Sequence, residues 1–120
     1  MEYPLVRITN STNYVAYGHV VYLGQWCRDD LYTVFPNTSW QATGRGACLV
    51  KRIWADLRHT PAGDPLEATP YTSSGTSYSQ FEIIQTSNNP LAFAVVRRGG
   101  SAADDEPPAD YEEPTTRQKD

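Results

Sequence analysis

Ala47 to Arg58 reads ACLVKRIWADLR, and the fold class turns on how this stretch is read. At a period of 3.6, Leu49, Val50, Ile53, Trp54 and Leu57 form an apolar helical stripe. At a period of two, Ala47, Leu49, Ile53, Ala55 and Leu57 share one face, which Lys51 interrupts. The helical pattern lacks an acidic first turn, and the segments on either side are β-rich. The strand reading is therefore preferred, and it leaves a chain built from strands alone.

Upstream, Leu5 to Thr9 alternates and meets the turn cluster Asn10-Ser11-Thr12-Asn13. Tyr14 to Leu23, YVAYGHVVYL, follows with the β-branched and aromatic content of a strand. Tyr14, Ala16, Gly18, Val20 and Tyr22 lie on one face. Val15, Tyr17, His19, Val21 and Leu23 lie on the other. Neither face is plainly polar, so one is expected to be buried and the other functional or covered. Gly18 marks a bulge or a close backbone approach. A short strand is expected before Pro36, and another over Ser39 to Thr43, ended by Gly44-Arg45-Gly46.

Downstream, Thr60 to Gly75 holds three Pro and two Gly and reads as one long irregular connection, a length that is often functional. Tyr78 to Gln85 and Leu91 to Arg98 read as strands joined through Thr86–Pro90. Phe81 and Ile83 face Leu91, Phe93 and Val95. About six to eight short strands with turn signals every ~8–12 residues give a small antiparallel β-sandwich or barrel over residues 1–99.

Gly99-Gly100 divides the chain. Residues 1–100 carry eight Lys/Arg against seven Asp/Glu, whereas 101–120 carry two against seven. Residues 100–120 thus read as a disordered, acidic, Pro-containing tail. The near-neutral body argues against a general phosphate-backbone binder, so no nucleic acid is expected. No apolar run approaches the ~20 residues of a membrane span. The start, MEYPLVRITN, has no basic stretch followed by an apolar one. An extracellular setting, with a leader absent or removed, is slightly preferred to a cytoplasmic one.

Few residues point to chemistry. Cys27 and Cys48 are read three ways: buried thiols in neighbouring strands, a disulfide, or a reactive thiol. His19 and His59 lack metal-ligand spacing, and no cofactor or catalytic constellation is expected. Asn10-Ser11-Thr12 and Asn37-Thr38-Ser39 are sequons of low information. Gly44-Arg45-Gly46 offers a guanidinium at a turn that Trp40 and Trp54 flank in sequence, and such a fork grips carboxylate or phosphate. Thr72 to Ser77, between Tyr71 and Tyr78, sets hydroxyls between two aromatic rings, the composition of adaptable recognition loops. Trp40, Arg45, Trp54, Tyr71, Ser73, Ser74, Thr76 and Tyr78 are therefore the candidate ligand-binding residues.

The order of features over residues 4–98 loosely resembles small lipid-binding β-sandwiches of the actinoporin and aegerolysin type. These features are an alternating first strand ending in Asn10-Ser11-Thr12, aromatic strands, the Gly44-Arg45-Gly46 turn and the Ser-rich loop. The resemblance implies a sandwich fold and carries over no functional residue. The expected function is a non-enzymatic binding domain for a glycan or a membrane-lipid headgroup. The alternative is a protein-interaction module that docks a partner through a sheet edge or the 60–78 loop, with an oligomeric state the sequence leaves open.

Overall fold

Alternation along each strand decides which side chains meet in the interior. In the computed structural model, which describes residues 2–115, nine strands do this in two packed sheets. They are β1 (Arg7–Asn10), β2 (Ala16–Tyr22), β3 (Asp30–Val34), β4 (Ser39–Gln41), β5 (Val50–Leu57), β6 (Leu66–Glu67), β7 (Tyr71–Thr76), β8 (Gln80–Asn88) and β9 (Leu91–Arg97). One sheet has the order β4-β1-β8-β9. The other has the order β3-β2-β5-β6, with β7 also paired to β5. The sheet pairs are antiparallel except β1 with β8, which run parallel with Ile8 opposite Phe81. A parallel pair needs a long crossover between its strands, and here the whole second sheet supplies it.

From the first sheet, Val6, Ile8, Phe81, Ile83, Phe93 and Val95 point inward. From the second come Ala16, Val20, Tyr22, Tyr32, Val34, Ile53, Ala55, Leu57 and Tyr71. The Tyr71 and Phe81 rings meet at 4.8 Å, and the Tyr14 and Phe93 rings meet edge to face at 5.8 Å. Each large apolar side chain buried in this way contributes roughly 1.5–3 kcal/mol, before the entropy of ordering it is subtracted.

The deciding stretch is a strand. Lys51 does not break its alternation, because it is the extra residue of a bulge: the consecutive residues Val21 and Tyr22 of β2 pair with Arg52 and Val50. The bulge lets Lys51 and Arg52 both face solvent while Val50 and Ile53 stay buried. Gly18 marks a close approach, as its place mid-strand implied. Tyr32 stands opposite Gly18 and its hydroxyl donates to the Trp54 carbonyl at 2.6 Å. A Cβ on Gly18 would lie 1.9 Å from that same carbonyl oxygen.

Cys27 and Cys48 form a disulfide with their Cα atoms 5.9 Å apart, so both thiol alternatives fall. It ties the β2–β3 connection to the segment leading into β5. Asn10 is buried: its amide donates to the Tyr14 and Val34 carbonyls and its Oδ1 accepts from Thr12. That sequon is closed to modification, whereas Asn37 is exposed.

Two connections differ from expectation. Thr60 to Gly75 is not one loop but contains β6 and most of β7. The Ser/Thr run becomes a strand because β5 offers it a ladder and its hydroxyls bond locally, Ser73 donating to the Val50 carbonyl at 2.7 Å. The β8–β9 hairpin is also tighter. Strand pairing continues through Asn88, with a bulge at Gln85–Ser87, and leaves only Asn89-Pro90 at the tip.

The acidic segment enters through Gly99 and Gly100, both at positive φ (92° and 74°), and forms a 3-10 helix over Ala102–Asp105. Asp105 contacts Tyr71 and Arg97, and Pro114 is buried. The disorder expected from residue 100 onward falls partly on 116–120, which lie outside the described residues.

Candidate functional site: the outer face of the five-stranded sheet

The outward side of β2, left neither polar nor apolar by its sequence, lies at the centre of the five-stranded sheet. Strand register sets His19 between Leu31 of β3 and Trp54 of β5. The row beyond it holds Thr33, Tyr17, Asp56 and Glu67. The row on the other side holds Val21, Arg52 and Thr72. The His19 and Trp54 rings stack at 6.0 Å with planes 29° apart. The Arg52 guanidinium lies 5.3 Å from the indole centroid, and Arg58 lies 5.4 Å from the Tyr17 ring. Such cation–π contacts contribute about 0.5–1 kcal/mol at exposed sites.

The cations here differ in what they have left to bind. Arg58 donates to Asp64 at 2.7 Å, and Asp64 also receives the His59 backbone N–H and faces His59 Nδ1 at 2.9 Å. The hydrogen bond from Arg58 and that from the His59 backbone hold the Asp64 carboxyl below the ordinary carboxylate range. Among the described residues no carboxylate forms an ion pair with Lys51 or Arg52. The β5 bulge therefore turns two cations without an ion pair to solvent, Arg52 of them against Trp54. The face offers planar rings, a guanidinium and an ammonium on rigid strands, chemistry suited to holding a flat polar ligand with an anionic substituent.

Of the residues selected from sequence, only Trp54 belongs to this face. Trp40 lies in the other sheet, its ring 5.3 Å from Tyr32 and packed against the core. Arg45 is 1% exposed and bonds entirely inward. Its Nε donates to the Cys48 carbonyl, Nη1 to those of Pro4, Ser77 and Tyr78, and Nη2 to that of Thr76. Burial lowers its pKa to about 10. The hollow beside the turn, about 600 Å³ and open to solvent, borders this clamp, but the guanidinium is committed to the backbone. Tyr71, Ser73, Ser74, Thr76 and Tyr78 do gather along one strand and its exit. Thr76 is buried, and its Oγ1 accepts from the Tyr78 N–H. Tyr71, Ser74 and Tyr78 bond to residues 98–105 of the same chain.

Tyr17, His19, Lys51 and Arg52 were missed. The signal for Tyr17 and His19 lay in the mixed outer face of YVAYGHVVYL. Nothing local marks Arg52, because its exposure follows from a bulge. Among the described residues no three His, Cys, Asp or Glu side chains gather as a metal cluster. No protein-family model, curated protein or solved structure matches the chain.

Proposed function

We propose that this chain is a non-enzymatic binding domain that recognises a glycan on the outer face of its five-stranded sheet. The observation that carries the reading is half-buried Trp54, flanked by the His19 ring and the Arg52 guanidinium, with Lys51 exposed next to Arg52 and no ion pair to either. A sugar would pack its C–H surface on the rings, and a carboxylate or sulfate substituent would take the cations. The disulfide supports an oxidising, extracellular setting. No helix among the described residues is long and apolar enough to cross a membrane.

A glycan array with neutral and acidic members, run beside sedimentation with anionic phospholipid vesicles, tests this. Binding to acidic glycans should fall about tenfold or more in Trp54→Ala, equivalent to about 1.4 kcal/mol, and fall in Arg52→Gln for acidic members alone. Sedimentation with vesicles and a blank array would move the ligand to a lipid headgroup. Blanks in both at high protein concentration would end the reading.

A protein-interaction module remains a second reading on its own observation. Strand β3 is the edge of its sheet, Leu31 on it is 82% exposed, and Phe35 just past it is 63% exposed. Edge strands with exposed apolar side chains are sites of strand addition.

A further inference from the structure

Along one side of the sandwich, β7 and β9 lie at the edges of their sheets. The chain before β7 crosses between them: Thr69 donates its N–H to the Phe93 carbonyl and accepts from the Val95 N–H. What remains is a cleft of about 330 Å³, lined by Thr69–Thr72, Ala94–Arg97 and Asp105.

The chain's own acidic segment borders that cleft, with Asp105 forming part of its wall. Asp105 Oδ1 accepts from the Tyr71 hydroxyl and, at 2.9 Å, from Arg97 Nε. The Asp105 carbonyl accepts from Ser74 Oγ at 3.1 Å. Burial and the Asp105 carboxylate hold the Tyr71 phenol protonated well above its ordinary range, so it acts as a donor. Tyr78 orders the entry by donating to the Arg98 carbonyl at 2.9 Å. The hydroxyl-and-tyrosine surface that reads as a recognition loop in the sequence is therefore already engaged, with a carboxylate and a peptide backbone as its ligand.

We infer that this cleft is a docking groove for an acidic peptide segment of a partner protein, its carboxylate position at Tyr71 and Arg97 taken in cis by Asp105. The groove's chemistry is shown by its occupant: a guanidinium and a phenol for a carboxylate, and a serine hydroxyl for the adjoining backbone carbonyl. The occupant is built to leave. Gly99 and Gly100, both in the left-handed region, form the joint. Asp105 supplies the segment's one ion pair to the body among the described residues. Further along, the Tyr111 hydroxyl is buried with no hydrogen-bond partner, which weakens the docked state. A tether this short gives the segment an effective concentration on the order of millimolar. An outside peptide therefore competes only once the internal carboxylate lets go.

The test uses the full chain and a fluorescein-labelled peptide with the sequence of residues 101–115, read by fluorescence anisotropy. Asp105→Ala should bind the peptide at least tenfold more tightly than the wild-type chain does. Adding Arg97→Gln to Asp105→Ala should abolish that gain, as should replacing the aspartate in the peptide that corresponds to Asp105 with alanine. Far-UV circular dichroism and a thermal melt confirm that each variant is folded. Equal binding by wild type and Asp105→Ala, or binding indifferent to Arg97, overturns the groove. A concentration-dependent dimer in place of peptide binding overturns the choice of partner and assigns the groove to a second copy.

Discussion

Replacing Arg45 with lysine keeps the charge but removes the fork, and the consequence can be worked from the hydrogen bonds. The guanidinium meets five carbonyls at 2.7–3.2 Å, that of Cys48 through Nε, that of Thr76 through Nη2, and those of Pro4, Ser77 and Tyr78 through the two N–H groups of Nη1. A lysine ammonium has three N–H groups on one atom, so at least two carbonyls lose their partner. Hydrogen bonds to charged groups contribute about 1.5–3 kcal/mol each. Three of the five contacts share Nη1, two of them at 3.2 Å, so the lower end applies, and the loss is roughly 3 kcal/mol. That is a large part of the 5–15 kcal/mol that holds a small domain together. At roughly 4–8 °C per kcal/mol, the melting temperature should drop by about 12–24 °C. Urea unfolding at pH 7, followed by tryptophan fluorescence with the disulfide intact, measures the change. Arg45 is charged at that pH, since burial lowers its pKa only to about 10. An Arg45→Lys chain within 1 kcal/mol of wild type would refute the clamp. Weakened glycan binding in that chain at unchanged stability would restore Arg45 to the ligand site.

Gly18→Ala should cost roughly 2–4 kcal/mol, from overpacking plus the lost Tyr32–Trp54 hydrogen bond, because the new methyl would sit 1.9 Å from the Trp54 carbonyl oxygen. A change below 0.5 kcal/mol in denaturant unfolding would contradict that contact. Opening the disulfide by Cys27→Ala with Cys48→Ala should cost about 3 kcal/mol, since it frees a loop of about 20 residues in the unfolded chain. An unchanged urea midpoint would count against the cross-link. Burial raises the phenols of Tyr22, Tyr32 and Tyr71 above their ordinary range. The folded chain keeps protons that the unfolded chain releases near pH 10, so stability is intact below that pH and falls as pH rises above it. In a tyrosinate absorbance titration these three phenols should ionise only together with unfolding. Three of them titrating while the fold persists would contradict their burial.

Much of the fold was legible because burial imposes a period. Ala16, Val20 and Tyr22 alternate with Tyr17, His19 and Val21 in the sequence, and the sheet buries the first set. Phe81 and Ile83 meet Phe93 and Val95 for the same reason. The Gly99-Gly100 break and the concentration of acid beyond it were equally plain. Such features are local, set by a strand's two faces and by composition.

What the sequence could not carry depends on partners distant along the chain. Arg45 at a Gly-Arg-Gly turn has the look of a solvent-facing hook. It is a buried clamp only because Pro4 and Thr76–Tyr78, about 30 to 40 residues away, bring their carbonyls to it. The Ser-rich run reads as a loop until β5 supplies a ladder, and its hydroxyls look free until Asp105 arrives. Lys51 and Arg52 both reach solvent, Arg52 beside Trp54, through a bulge that forms in pairing with β2. Cys27 and Cys48 are 21 residues apart, a separation compatible with bridged or free sulfurs, and only the docking of two connections puts their Cα atoms 5.9 Å apart. Periodicity fixes which way a side chain points relative to its own strand. Which groups it meets there is decided by tertiary packing alone.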